Sequence, residues 1–104
     1  AESMIAVGSL SRVEVDEVVK SHLKRIKYCY QRQMQSNPSV AGKITTRFTV
    51  SQDGSVGTAR VVRSSMGNDA VERCLVKTLL RMTFPKPRGG GHVIVTYPFT
   101  FEAS

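Results

Sequence analysis

Two cysteines and two histidines are the residues of this sequence best suited to bind a metal or form a covalent cross-link: Cys29, Cys74, His22 and His92. Two zinc ligands need their donor atoms within about 4 Å of one another. His22 and Cys29 are instead about 10 Å apart along a helix axis, and no Cys-x-x-Cys pair supplies closer ligands. We therefore expect neither a metal nor a cofactor.

The same cysteines can form a disulfide, because each is predicted on the apolar face of a different helix. Helices that share a core can bring Cys29 and Cys74 together. The bond would close a loop of about 46 residues, stabilise the domain by on the order of 4 kcal/mol, and indicate an oxidising compartment. We predict this bond, and the alternative is two buried free thiols in a cytosolic domain.

Catalytic patterns are missing from the sequence. It contains no Gly-x-Ser-x-Gly elbow, no His-Glu-x-x-His and no phosphate-binding loop. The acidic residues Glu14, Asp16 and Glu17 cluster at a predicted helix start, where the helix dipole accounts for them. We predict that the protein is not an enzyme.

Basic residues outnumber acidic ones by 15 to 8, which gives a net charge of +7 and favours an anionic partner. Lys20, Lys24 and Lys27 follow helical spacing and form a local stripe. An ordinary solvated helix face carries such a stripe as well. An anionic cell-wall polymer is one candidate ligand for it.

Two helices are predicted to position these residues. Ser11 and Glu14 have the spacing of a capping box, and apolar residues then recur at steps of three and four until Asn37-Pro38 ends the first helix. Asn68 is a suitable cap for the second helix.

A β-hairpin is predicted between the helices. In residues 43–51, Ile44, Phe48 and Val50 fall on one face of a half-buried strand. Asp53-Gly54 provides the turn, and residues 56–64 form the second strand.

The last strand follows a loop rich in proline and glycine. Residues 93–101 alternate between apolar or aromatic side chains and their neighbours, which is typical of a strand with one buried face. A final strand of this kind often lies at or near a sheet edge, where it can pair with another chain. Pro98 cannot donate to a sheet ladder, which favours an edge or a bulge.

Together these elements predict an α+β, two-layer domain in the order helix-strand-strand-helix-strand. Its three-stranded antiparallel sheet would carry two helices packed on one face. The domain would span residues 11–104, and residues 1–10, which lack clear periodicity, would be a lead-in or linker remnant. The chain begins with Ala1 rather than Met, so we expect it to be a piece of a longer protein.

The order of short motifs resembles the C-terminal domain of TonB over roughly residues 15–102. The resemblance rests on strand, Asp-Gly turn, strand and Ser-Ser, followed by a helix, Phe84-Pro85, glycines and a closing aromatic strand. Further motifs most resemble the TonB-like domains of AgmX/PglI-type adventurous gliding motility proteins: Cys29-Tyr30, Gly42-Lys43, residues 64–68, residues 71–74, residues 84–87 and residues 89–91. The cysteine pair departs from TonB itself, which puts an iron-transport role in doubt.

The resemblance implies a periplasmic domain of an inner-membrane-anchored protein that is coupled to a proton-driven motor. Such domains bind segments of outer-membrane or periplasmic proteins by β-strand addition and transmit force, here in gliding motility. The missing N-terminal part would meet the motor-complex proteins, and a second copy could complete the sheet as a homodimer. The candidate partner-binding residues are His92, Val93, Ile94, Val95, Thr96 and Tyr97.

Two other function classes fit the composition. The charge of +7 on an α+β domain suggests a nucleic-acid-binding module, but neither exposed stacking aromatics nor a Gly-x-x-Gly loop supports it, so no nucleic acid is expected. A scaffold domain that binds a cell-wall polymer is the third interpretation.

Overall fold

Helices and strands follow one another in an α+β order, in a computed structural model that describes residues 5–38 and 40–102. A short 3-10 turn, Arg88–Gly90, precedes the last strand. The elements are β1 (Ile5–Val7), α1 (Arg12–Ser21), α2 (Leu23–Met34), β2 (Gly42–Val50), β3 (Val56–Ser64), α3 (Asp69–Leu80) and β4 (Val93–Phe101).

The strands form an antiparallel sheet in the order β1-β4-β2-β3. The hairpin of β2 and β3 is confirmed, and its turn is held by Asp53, whose carboxylate accepts hydrogen bonds from the backbone and the hydroxyl of Ser55. Gly54 has a φ of 89°, and a Cβ at this position would collide with the Phe84 carbonyl oxygen. Glycine is therefore required at this turn.

The sheet has one strand more than the sequence predicts. Residues 5–7, which fall in the predicted lead-in, form β1 and pair with β4. Three residues are too few to show the period-two pattern that predicts the other strands. The predicted fold class is nevertheless confirmed.

The predicted first helix is divided in two at His22, whose backbone leaves the helical region at φ −106° and ψ 9°. Two side chains compete for the carbonyl oxygen of Val18: the Ser21 hydroxyl donates to it at 2.6 Å, and His22 Nδ1 lies 2.8 Å from it. Such local side-chain bonds compete with the helical ladder and favour a break. The capping box of Ser11 and Glu14 is confirmed.

The core lies between the helices and one face of the sheet. The predicted inward row of β2 is fully buried, and Asn68 caps α3 as expected. The largest fully buried side chains are Phe48, Ile26, Ile44, Leu75, Leu79 and Met82.

A disulfide between Cys29 and Cys74 joins α2 to α3, as predicted. The two Cα atoms are 5.5 Å apart, within the range that a disulfide bridges. The bond thus clamps the helix that precedes the hairpin to the helix that follows it. No helix in the described part of the chain is both long and apolar enough to span a membrane.

Candidate partner-binding strand

Strand β4 is covered unequally on its two sides. Its nine residues pair with β2 from Val93 to Phe101. On the other side, the described residues place only β1 against it, at Ile94, Val95 and Thr96. The predicted docking stretch is therefore occupied in part by the chain's own N-terminal strand, and the outer edge beyond Thr96 has no strand partner within residues 5–38 and 40–102.

The predicted partner-binding residues differ in what they present. Val93 and Val95 are fully buried in the core, and His92 is an exposed residue just before the strand. Ile94 is 47% exposed on the uncovered sheet face, and Thr96 beside it accepts a hydrogen bond from Arg47 Nε at 3.4 Å. A partner strand would thus meet the backbone and these two side chains, while the valines hold the core.

Tyr97 is tied to helix α1. Its hydroxyl donates to Asp16 Oδ1 at 2.5 Å, and its ring packs against Phe99 with 4.8 Å between centroids. Asp16 also pairs with Lys20 at 2.7 Å. Tyr97 therefore fixes β4 to the helix layer, and its hydroxyl is already engaged.

This cluster shifts two pKa values. The hydrogen bonds from Lys20 and then from Tyr97 lower the pKa of Asp16. Burial, followed by the bond to Asp16, raises the pKa of the Tyr97 hydroxyl. Tyr97 therefore stays protonated and donates to an ionised carboxylate over the physiological range.

The substitution Tyr97→Phe should lower the free energy of unfolding by about 1 kcal/mol at pH 7, since a hydrogen bond to a partly exposed carboxylate is lost. Because the pKa of Asp16 is lowered on folding, its stabilising contribution is full above its unfolded pKa of about 3.9 and is lost as the pH falls through the folded value. Urea unfolding at a series of pH values should show the two proteins converging below about pH 4. A difference that stays constant down to pH 2 would contradict this role.

The segment that follows β1 is anchored to the loop before β4. Ser9 accepts hydrogen bonds at 3.3 Å from the Arg88 backbone and side chain, and the Arg88 guanidinium pairs with both oxygens of Glu14. The hydrogen bond from the Ser11 backbone and then that from Arg88 lower the pKa of Glu14. Since Ser9 is held this way, the segment after β1 is attached to the domain independently of the pairing of β1 with β4.

Pro98 lies opposite Thr45, in a β2–β4 register that runs without a break from residue 93 to residue 101. The irregularities of β2 occur where it pairs with β3. Pro98 thus lies just after the stretch of β4 that β1 covers, and it causes no bulge in the pairing with β2. This favours the interpretation that Pro98 is tolerated because it lies at a sheet edge.

The predicted lysine stripe is divided by the helix break. Lys20 belongs to α1 and is paired with Asp16, whereas Lys24 and Lys27 are exposed on α2. The three ammonium groups do not share one uninterrupted helix face.

In the described part of the chain, no group of three or more His, Cys, Asp or Glu side chains is arranged to hold a metal ion. Both cysteines are used by the disulfide.

Sequence reasoning missed β1 and its anchor. The triplet Ile5-Ala6-Val7 followed by Gly8 is a weak local signal for a short strand that ends at a glycine. In the structure Gly8 has a φ of 131° and lies against His92 and Val93. The ion pair of Arg88 with Glu14 joins residues 74 positions apart, a distance that no local pattern reveals.

The chain is similar in structure to two TonB C-terminal domains at low sequence identity. The Pseudomonas aeruginosa domain is 18% identical with a TM-score of 0.54, and the match covers 95% of this chain and 85% of that one. The Helicobacter pylori domain, residues 179–285 of its protein, is 18% identical with a TM-score of 0.55, covering 100% and 98%. Comparisons with protein-family models and with curated proteins give no match. The chain therefore has the fold of a TonB C-terminal domain.

Proposed function

We propose that this chain is a protein-interaction domain that docks a segment of a partner protein by adding a strand to β4. The observation that carries the proposal is the unequal cover of β4 among the described residues: nine residues of β4 pair with β2 on one side, and three residues of β1 pair with it on the other. A partner strand would take the place of β1 on this side and form ladder bonds with the backbone of β4. The partner would therefore compete with β1 for the edge.

The described side chains of β1, those of Ala6 and Val7, contribute little buried apolar surface that would be lost on exchange for a partner strand. Val7 is 63% exposed, its register partner Ile94 is 47% exposed, and Ala6 is only partly buried. The core valines of β4 stay packed on the helices when β1 leaves. The cost of exchange is thus mainly the few ladder bonds of β1, which a partner strand restores.

The cellular setting we propose is the periplasm, as the terminal domain of an inner-membrane-anchored protein driven by a proton-powered motor, and the process is gliding motility of the AgmX/PglI type. The partner would be an outer-membrane or periplasmic protein. The disulfide supports an oxidising compartment. A strand pulled along its own axis loads several backbone hydrogen bonds together, which suits a link that transmits force.

The proposal is tested by supplying β1 as a separate peptide. A chain lacking residues 1–8 keeps Leu10 in the core and the capping box at Ser11, so it should remain folded. Titration with a peptide of residues 1–8 should shift the amide resonances of β4 in a saturable manner, since the edge accepts a strand in trans. The matched control peptide carries Ala6→Pro and should not bind, because proline removes an amide at the centre of the strand.

Two results would count against strand addition to β4. One is a folded truncated chain that binds neither peptide, and the other is equal binding of both. The oligomeric state of the truncated chain should be measured by sedimentation in the same experiment, because an open edge favours strand pairing between copies. A dimer that the peptide dissociates would support the proposal.

A further inference from the structure

A groove between α2 and α3 carries most of its charge as unpaired cations. Its cavity has a volume of about 510 Å³. The charged and aromatic groups that line it are Arg25, Tyr28, Arg32, Arg73, Lys77 and Arg81. None of the described carboxylates lines it, so the groove is a concentrated patch of positive charge on a surface apart from β4.

The chain's own acidic groups neutralise little of this patch. Arg73 pairs with Asp69 on the same helix. The other four cations have no carboxylate partner within the described residues. Their mutual repulsion is unfavourable unless an anionic ligand relieves it.

The groove is held in shape by covalent and aromatic contacts. The Cys29–Cys74 disulfide joins the two helices that form its walls, and Cys74 is one of the residues that line it. The guanidinium carbons of Arg25 and Arg32 lie 6.0 and 5.7 Å from the centroid of the Tyr28 ring, within cation-π range. The two arginines are thus positioned on one wall before any ligand arrives, which limits the entropy lost on binding.

The length of the charged patch indicates what size of anionic ligand it can bind. Arg25 and Arg32 are about 10 Å apart along α2, and Arg73 and Arg81 about 12 Å apart along the line of α3. A single phosphate or carboxylate cannot span that length, whereas about four residues of extended peptide do. Arginine binds planar carboxylates through two parallel hydrogen bonds.

We propose that this groove binds an acidic, extended peptide segment of a protein partner, at a site separate from the β4 edge. Nucleic acid fits less well, because the one aromatic ring that lines the groove is Tyr28, and guanidinium groups already lie over it instead of a base. The acidic-peptide site does not depend on strand addition: a partner could use either surface or both.

The test is a fluorescence-anisotropy titration of the full chain with labelled hexaglutamate, with hexaglutamine as the uncharged control and a ten-nucleotide oligothymidine as the competing class. The variant Arg25→Gln/Arg32→Gln removes two charges from the groove. Lys24→Gln/Lys27→Gln removes two charges from the same helix outside that groove. All four residues are exposed, so both variants should fold as the parent does.

Binding of hexaglutamate should weaken about tenfold in the arginine variant and less than about threefold in the lysine variant, since charge-assisted contacts are lost in the first only. Hexaglutamine should not bind. Equal weakening in both variants would show an effect of net charge and overturn the site. Tighter binding of oligothymidine than of hexaglutamate, or no saturable peptide binding, would overturn it as well.

Discussion

Replacing Cys29 and Cys74 together by alanine should lower the free energy of unfolding by about 4 kcal/mol. The bond connects residues 45 positions apart, so its loss restores much conformational freedom to the unfolded chain. It also clamps α2 to α3, and Cys29 is 2% exposed. Since small domains are stable by about 5 to 15 kcal/mol in total, this is a large fraction of the whole.

Urea unfolding with and without reductant measures the effect. The double variant, which has no disulfide to reduce, is the control for other effects of the reductant. Reductant should destabilise the parent chain by a similar amount and leave the double variant unchanged. A count of free thiols in the unfolded, unreduced parent should give none. A loss of less than about 1 kcal/mol, or two free thiols, would contradict the structural role of the bond.

The second large effect is expected at the centre of β4. The substitution Val95→Pro should cost about 3 kcal/mol or more, because Val95 is fully buried and lies between Ala6 of β1 and Phe48 of β2. The sequence pattern places this strand at or near a sheet edge, where a proline removes one intermolecular donor and costs stability only moderately. In the structure β4 is flanked on both sides at this point, so the expected cost is larger than at an open edge.

The control lies directly across the ladder. Ala6→Pro on β1 changes the register partner of Val95 and should cost about 1 kcal/mol or less, since β1 is short and at the sheet edge. Thermal unfolding of the two variants compares the stability cost of a proline in β4 with that of a proline in β1 at paired positions of the ladder. Equal costs would mean that β1 is as integral to the sheet as β2, which would weaken the proposed exchange.

Local signals predicted the elements that depend on local chemistry. The capping box of Ser11 and Glu14, the Asp53 turn and the Asn68 cap each act over two or three residues, and all three are present. The buried faces of β2 and β4 followed from period-two alternation, because one side of each strand faces the helices.

Features that depend on distant residues were not visible in the sequence. The break at His22 leaves the apolar spacing of α1 and α2 nearly unchanged, so periodicity could not reveal it. The pairing of β1 with β4 brings together residues about 90 positions apart. The basic groove also depends on residues distant in sequence, because Arg25 and Arg81 come from separate helices. The lysine stripe that the sequence indicates does not line this groove.

The proposed function requires that β4 accept a strand at its outer edge. The direct measurement is the set of cross-strand NOEs between an isotope-labelled chain lacking residues 1–8 and the peptide of residues 1–8. We predict contacts between the peptide's Ala6 and Val95, in the antiparallel register of the intact chain. Contacts to β3 (Val56–Ser64), or a bound peptide without contacts to β4, would contradict it.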